Sequence, residues 1–426
     1  MKNTMGKLFQ KQETETKGLT QFQAVMGALA GTIGMGNISG TAAAIAIGGP
    51  GAVFWMWVFA FFAMTIKCAE VTLAVHYREV SPDGEIHGGP MYYMKTGLNS
   101  KFLEKAFSVG LFFNAILMAS VMQIHTVVES TQASYGWNPY IVAGVMVLFV
   151  FLSCIGGLKS VGKVCGSLVP VMAILWLLTS VVVIVGNITN LPHAFALIFG
   201  NAFTGSSATG GFVGSTIALV IKQGAARATG SNDAGLGLAP CVHATADVDH
   251  PFKQGLWGVT EVFIDTVVVC TATALICILP EGNWSSGATG VALTLQGLKS
   301  VLPGGAADLI CNVCVAAFCL STTVVFYVYF ENASKDLFGK KSFKYLRWLF
   351  FLMPLVFAGY SGVNDLYNGF ANIATGLCLY PNLIAIVLLS KPFFGLMKDF
   401  EGERRYDTAK VDQSKNFIKT AGQKVR

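Results

Sequence analysis

Charge is what this chain has little of. Asp, Glu, Lys and Arg make up 12% of its 426 residues, about half the roughly 25% of a soluble domain. That excludes an ordinary soluble enzyme, a disordered chain and a nucleic-acid binder. Histidine is also scarce: the six present form no H-x-x-x-H or H-E-x-x-H pair on one helix face, so no histidine metal site is expected. The ten cysteines do not read as a disulfide framework, because they fall mostly within apolar sequence as small hydrophobes. Cys311 and Cys314 form a C-x-x-C in such a stretch, with no accompanying ligand pair. The polar start, residues 1–20, is not followed by a short apolar region and cleavage site. What the chain does have is 53% hydrophobic residues, 47 glycines and a mean hydropathy of +0.58. Several uninterrupted apolar stretches approach the ~20 residues that cross a bilayer as a helix. The expected class is an all-α polytopic membrane protein, with the lipid bilayer as its surroundings.

Ten spans can be read, at about 22–47, 51–76, 107–130, 139–156, 165–187, 203–221, 256–279, 307–330, 346–360 and 367–390. With a cytoplasmic N-terminus, 27 of the 29 Lys and Arg residues fall on the cytoplasmic side, leaving Lys299 outside and Lys67 within the second span. This contrast predicts a multi-pass protein of the cell membrane with both termini cytoplasmic. The expected organisation is a polar segment at 1–20, one transmembrane domain at 21–391 and a cytoplasmic tail at 392–426.

Glycine marks two of the spans. The first is interrupted by GTIGMGNISG at 31–40 and the sixth by TGSSATGGFVGS at 204–215. Each glycine costs a helix about 1 kcal/mol relative to alanine. Non-helical backbone at membrane depth is tolerated only where it is buried or lines a cavity. Two breaks five spans apart must enter the membrane in opposite senses. They predict inverted repeats at about 21–190 and 203–391, with a transport site at the midplane. Gly34-x-Gly36 also has a superficial likeness to a dinucleotide fingerprint, but no strand precedes it.

A broken helix offers N–H groups to an anion and carbonyls to a cation. The candidate cradle is Gly34, Met35, Gly36 and Asn37, with the N–H groups of Met35 and Gly36 facing a substrate carboxylate. Carbonyls of Ala30 and Ile33 are candidates to face Na⁺. The eighth span offers hydroxyls at Ser321, Thr322 and Thr323, although by spacing alone these read as bonding back within their own helix. Gly211, Phe212, Gly214 and Ser215 of the sixth-span break complete the pocket. No basic residue stands near either break in the sequence, so a small neutral zwitterion is the expected substrate.

At these residues the chain resembles the alanine or glycine:cation symporter family. The block GTIGMGNISGTAAAIAIGGPGAVFWMW at 31–57 is close to that family's signature. KCAEVTLAVHYRE (67–79), SNDAGLGLAP (231–240), HPFKQGLWG, FIDTVVVCTATAL and STTVVFYVYFE extend the likeness over nearly the whole chain. The resemblance implies symport of alanine or glycine coupled to Na⁺, or in some members H⁺. It also implies the five-plus-five inverted-repeat fold of the neurotransmitter:sodium symporters, with broken first and sixth helices. It puts Thr32 and Asn37 near the substrate or a first ion, and Ala30, Ile33, Ser321 and Thr322 at the ion site common to the fold. The family usually carries a further hydrophobic segment before the first broken helix and a Gly-Trp where Val325-Phe326 stand here, which makes Phe326 a pocket candidate.

Asp265, within an apolar stretch, is read chiefly as hydrogen-bonded to a neighbouring helix, and Lys67 and Glu70 as a helical pair near the cytoplasmic edge. A passive cation facilitator, a membrane enzyme or an altered, inactive relative remain as alternatives. No filter motif and no convergent acid, base and nucleophile favour the first two. Nothing fixes the oligomeric state.

Overall fold

The computed structural model describes residues 18–81, 84–205, 214–360, 362–363, 369–370, 372–401, 411–412 and 417–418. They are almost all helical. The chain starts α1, Gln21–Thr32, with a capping box: Thr20 accepts from the Gln23 N–H, and Gln23 in turn accepts from that of Thr20. α1 ends at Ile33, whose backbone is extended, and a π-helical turn at Gly36–Gly40 leads into α2, Thr41–Gly48. The two halves meet at a 49° bend. The expected break in the first span is therefore present, at 33–35.

Gly49 and Pro50 turn the chain into α3, Gly51–His76. A short strand pair, Glu79–Val80 with Ile86–His87, precedes α4, Lys101–Tyr135. Then follow α5, Pro139–Cys154, and α6, Gly157–Gly186. α7 is Leu191–Thr204 and α8 is Ile217–Asn232, capped by Thr216 on the Leu219 N–H. After α9, Pro240–His243, comes α10, Pro251–Ile278, with a π-helical stretch at Phe263–Cys270. The rest are α11, Gly290–Lys299; α12, Gly304–Phe338; α13, Lys340–Phe357; α14, Asn372–Leu388; and α15, Ser390–Glu401.

Five of these helices are long and apolar enough to span a membrane, and two bent pairs raise the number to seven. Their outward faces carry large apolar side chains such as Phe61, Ile141, Ile174 and Val387, each at least 57% exposed. That is the pattern of a lipid-facing surface, since a water-soluble monomer rarely exposes so much contiguous apolar area.

The second expected interruption, the glycine run at 204–215, falls mostly outside the described residues, which omit 206–213 with Gly211 and Phe212. A further interruption follows α8, at 233–239, where Asp233, Gly235 and Gly237 all take positive φ before Pro240 starts α9. Lys222 and Arg227, read from the sequence as loop residues, are on α8. Their charge and the small residues around them lower the hydropathy of 222–232, yet this helix packs closely enough on α3 that a methyl at Gly224 would meet the Ala52 carbonyl at 2.7 Å.

The start of α1 and the chain after α9 are joined at one end of the bundle. Leu19, just before α1, donates to the Thr245 carbonyl at 3.0 Å and accepts from the Asp247 N–H at 2.9 Å. Arg78 after α3 donates to the Ala244 and Ala246 carbonyls at 3.0 and 2.6 Å.

Candidate functional site

Thr322 of α12 carries the first part of the site. Its hydroxyl lies 2.9 Å from the Ala30 carbonyl and 3.2 Å from that of Ile33, the last carbonyls before the break. Gly34 makes this approach possible, because a methyl there would stand 2.5 Å from Thr322 Oγ1. Three of the four expected ion ligands thus converge as an oxygen cluster with no net charge, a donor set that suits Na⁺ better than a transition metal. Ser321 points elsewhere, donating to the Phe318 carbonyl at 2.9 Å and lying 3.3 Å from the sulfur of Met172.

Asn37 organises the second part. Its Oδ1 accepts from the Gly34 N–H at 2.9 Å, capping the start of the second half-helix. Its Nδ2 donates to Asp265 Oδ1 at 2.6 Å and to Ser231 Oγ at 3.2 Å. Thr266 and Ser231 both donate to Asp265 Oδ2. All four side chains are buried, and they bind the π-helical turn after the first break to the end of α8 and to the π-helical stretch of α10. Such local departures from α-helical winding recur at functional sites.

Two residues that the sequence did not mark complete this region. Gln123 of α4 accepts the Met35 N–H at 3.0 Å, so the donor expected to face a carboxylate is bonded to a side chain. Arg227 of α8 crosses the glycine face of the first broken helix: a methyl at Gly40 would stand 2.0 Å from its Nη1, and one at Gly36 3.9 Å away. The expectation that no basic residue lies near a break is therefore corrected. Arg227 is 187 residues from Gly40 in sequence and comes beside it only because α8 folds against the π-turn.

The remaining candidates are more distant. Thr32 bonds back to the Ala28 and Leu29 carbonyls within α1. Ser215 donates to the Gly48 carbonyl at 2.9 Å, eleven residues and so about 16 Å of helix from Asn37. Gly214 precedes it with φ +96°. Phe326 packs on Tyr329 at 5.0 Å between ring centroids, whereas its neighbour Val325 is the one beside Gly31.

Beneath the interruption at 233–239 lies a buried charged network. Lys67 Nζ is 3.4 Å from Glu70 and 3.7 Å from Glu261, whose other oxygen bonds His243 at 2.8 Å. Glu70 accepts from the Gly235 N–H at 3.2 Å and from Asn382 at 2.9 Å, holding the interrupted backbone in place. Lys67, Glu70 and Glu261 are fully enclosed, and the expected Lys67–Glu70 helical pair is formed.

A helix interrupted inside an apolar bundle, its carbonyls at the break met by a neutral hydroxyl of another helix, is the arrangement of a secondary transporter. The fold is shared with solved transporters. "MhsT in complex with L-phenylalanine" superimposes with a TM-score of 0.62, covering 90% of this chain and all of that one at 11% identity. In sequence, the profile of the "Sodium:alanine symporter family" matches residues 1–414. "Uncharacterized transporter YflA" of Bacillus subtilis is 38% identical, over 97% of this chain and 87% of its own. "Sodium/alanine symporter AgcS" of Methanococcus maripaludis is 37% identical, over 93% and 88%. The chain belongs to the sodium:alanine symporter family, and with it to the sodium-coupled amino-acid symporters of the membrane.

Proposed function

We propose that the protein takes up alanine, glycine or both with Na⁺, by alternating access between two inverted five-helix repeats and with both termini in the cytoplasm. The observation that carries this reading is the convergence of Thr322 Oγ1 on the carbonyls of Ala30 and Ile33. Na⁺ seated among these oxygens would tie α12 to the first broken helix and fix the backbone of Gly34–Asn37 beside it. The glycines there favour a small ligand, since a bulky side chain would meet Gln123 and α8. Asn37, Ser231 and Asp265 hold the cradle's shape and supply polar groups for the ammonium and carboxylate of a zwitterion. The relative named for alanine supports the substrate.

Proteoliposomes carrying the full chain test the proposal, by uptake of radiolabelled alanine under an inward Na⁺ gradient. Uptake is expected to vanish when K⁺ replaces Na⁺ and to fall when unlabelled glycine is added. Glutamine and leucine are expected to compete poorly. Uptake that persists without Na⁺ but follows a proton gradient would replace the ion. Strong competition by glutamine would replace the substrate class.

A further inference from the structure

Arg227 is costly where it stands. An arginine on a helix inside a membrane protein faces the interior or a hydrated path and recurrently marks substrate routes. The usual explanation would be an ion pair, but among the described residues its guanidinium has none, and its Nε is buried with no hydrogen-bond partner. The nearby carboxylate, Asp265, is already served by Asn37, Ser231 and Thr266. On α8, residues 227, 230 and 231 share one face by their spacing. Gly230 and Ser231 of that face touch Gly36, while Arg227 lies across Gly36 and Gly40. Arg227 as a whole is only half-buried, although its Nε is enclosed, so a ligand can approach the side chain from its open side. The backbone donors on the other side of the cradle are occupied, Gly34 by Asn37 and Met35 by Gln123.

We infer that Arg227 is the carboxylate receptor of the permeation path. It would bind the substrate's α-carboxylate over Gly36 and Gly40 with its two-pronged fork before the carboxylate displaces Gln123 from Met35. The inference rests on the amino-acid reading above and adds to it the residue that selects for a free acid. It also gives Gly40 a purpose, since any side chain at 40 would push the guanidinium off that face. A charge-assisted, two-bond contact of this kind discriminates by shape as well as charge, so lysine is an incomplete replacement.

The test is ligand binding to the purified full-length protein, read as the shift in thermal unfolding midpoint in Na⁺. The ligands are alanine, alaninamide (whose carboxylate is capped) and propionate (which lacks the ammonium). Wild type is expected to bind alanine and to ignore alaninamide. Arg227→Gln should weaken alanine about 10- to 100-fold, toward its alaninamide level, and Arg227→Lys should recover part of that loss. Wild-type affinity for alanine in Arg227→Gln overturns the inference, as does binding of alaninamide by wild type as tight as that of alanine. If wild type binds propionate through Arg227 but not alanine, the carboxylate site stands and the amino-acid reading fails. Binding of none of the three by wild type overturns both.

Discussion

At the scale of single residues, two side chains carry sharply different expectations. Thr322→Val keeps the shape of the side chain but removes the oxygen facing Ala30 and Ile33. The Na⁺ concentration for half-maximal uptake should rise at least about 10-fold, the size of one lost ion-facing group, whereas Thr322→Ser should stay near wild type. A flux titration over Na⁺ distinguishes the two. Asn37→Ala removes a donor to Asp265 and the acceptor of the Gly34 N–H at once. Uptake should be abolished while the protein still inserts and elutes as a single species. Gly36→Val should do the same, because its branches would reach the Gly230 carbonyl 3.5 Å from the position of the first carbon. Normal uptake by both variants would remove Gly34–Asn37 from the site.

At the scale of elements, the buried charges beneath the interruption at 233–239 act as one unit across α3, α9, α10 and α14. Removing one member leaves its partner charged in a water-poor interior, which costs about 3–5 kcal/mol. Lys67→Met should therefore lower the thermal unfolding midpoint of the detergent-solubilised protein more than the double variant Lys67→Met/Glu261→Gln. A single variant as stable as wild type would mean the charges are not coupled. This scale also shows what the sequence made legible. The first break was readable, because GTIGMGNISG places helix-breaking residues inside an otherwise unbroken apolar run. The interruption at 233–239 was not marked by the same rule. Its backbone is turned by Asp233 together with two spaced glycines, and Asn232 Oδ1 caps the Ala234 N–H at 3.0 Å. Asn-Asp followed by Pro240 at a helix start was the available signal, a turn chemistry rather than a glycine density. Arg227 was missed because hydropathy counts its charge against a span and cannot show which face the charge takes. Gln123 has no local signature, since its role depends on α4 passing the Met35 amide.

At the scale of the whole molecule, the proposed ion and substrate sites share the same few residues of broken helix, at 30–37. Ligands sharing such an element must influence each other reciprocally. Saturating alanine should lower the apparent Kd for Na⁺ by the same factor that saturating Na⁺ lowers that for alanine, with both read by calorimetry. Unequal factors would exclude a two-site equilibrium of this form. The hydrophobic bundle and the first broken helix were accessible from sequence because each is local. The pairing of Thr322 with Ala30 and Ile33 followed only from the family resemblance, since spacing alone favours helical back-bonding. The packing of α8 over the π-turn was not, since it brings together residues whose separate contexts look unremarkable.

The backbone pairing of Leu19 with Thr245 and Asp247 gives the molecule an internal gauge. These hydrogen bonds join the threshold of one interrupted helix to the sequel of the other, so the two cannot part at that end without releasing the Leu19 and Asp247 amides together. Hydrogen–deuterium exchange at those two amides then times the opening of that doorway in unlabelled, unmodified protein. Each ligand can be ranked by whether it holds the doorway shut or lets it breathe.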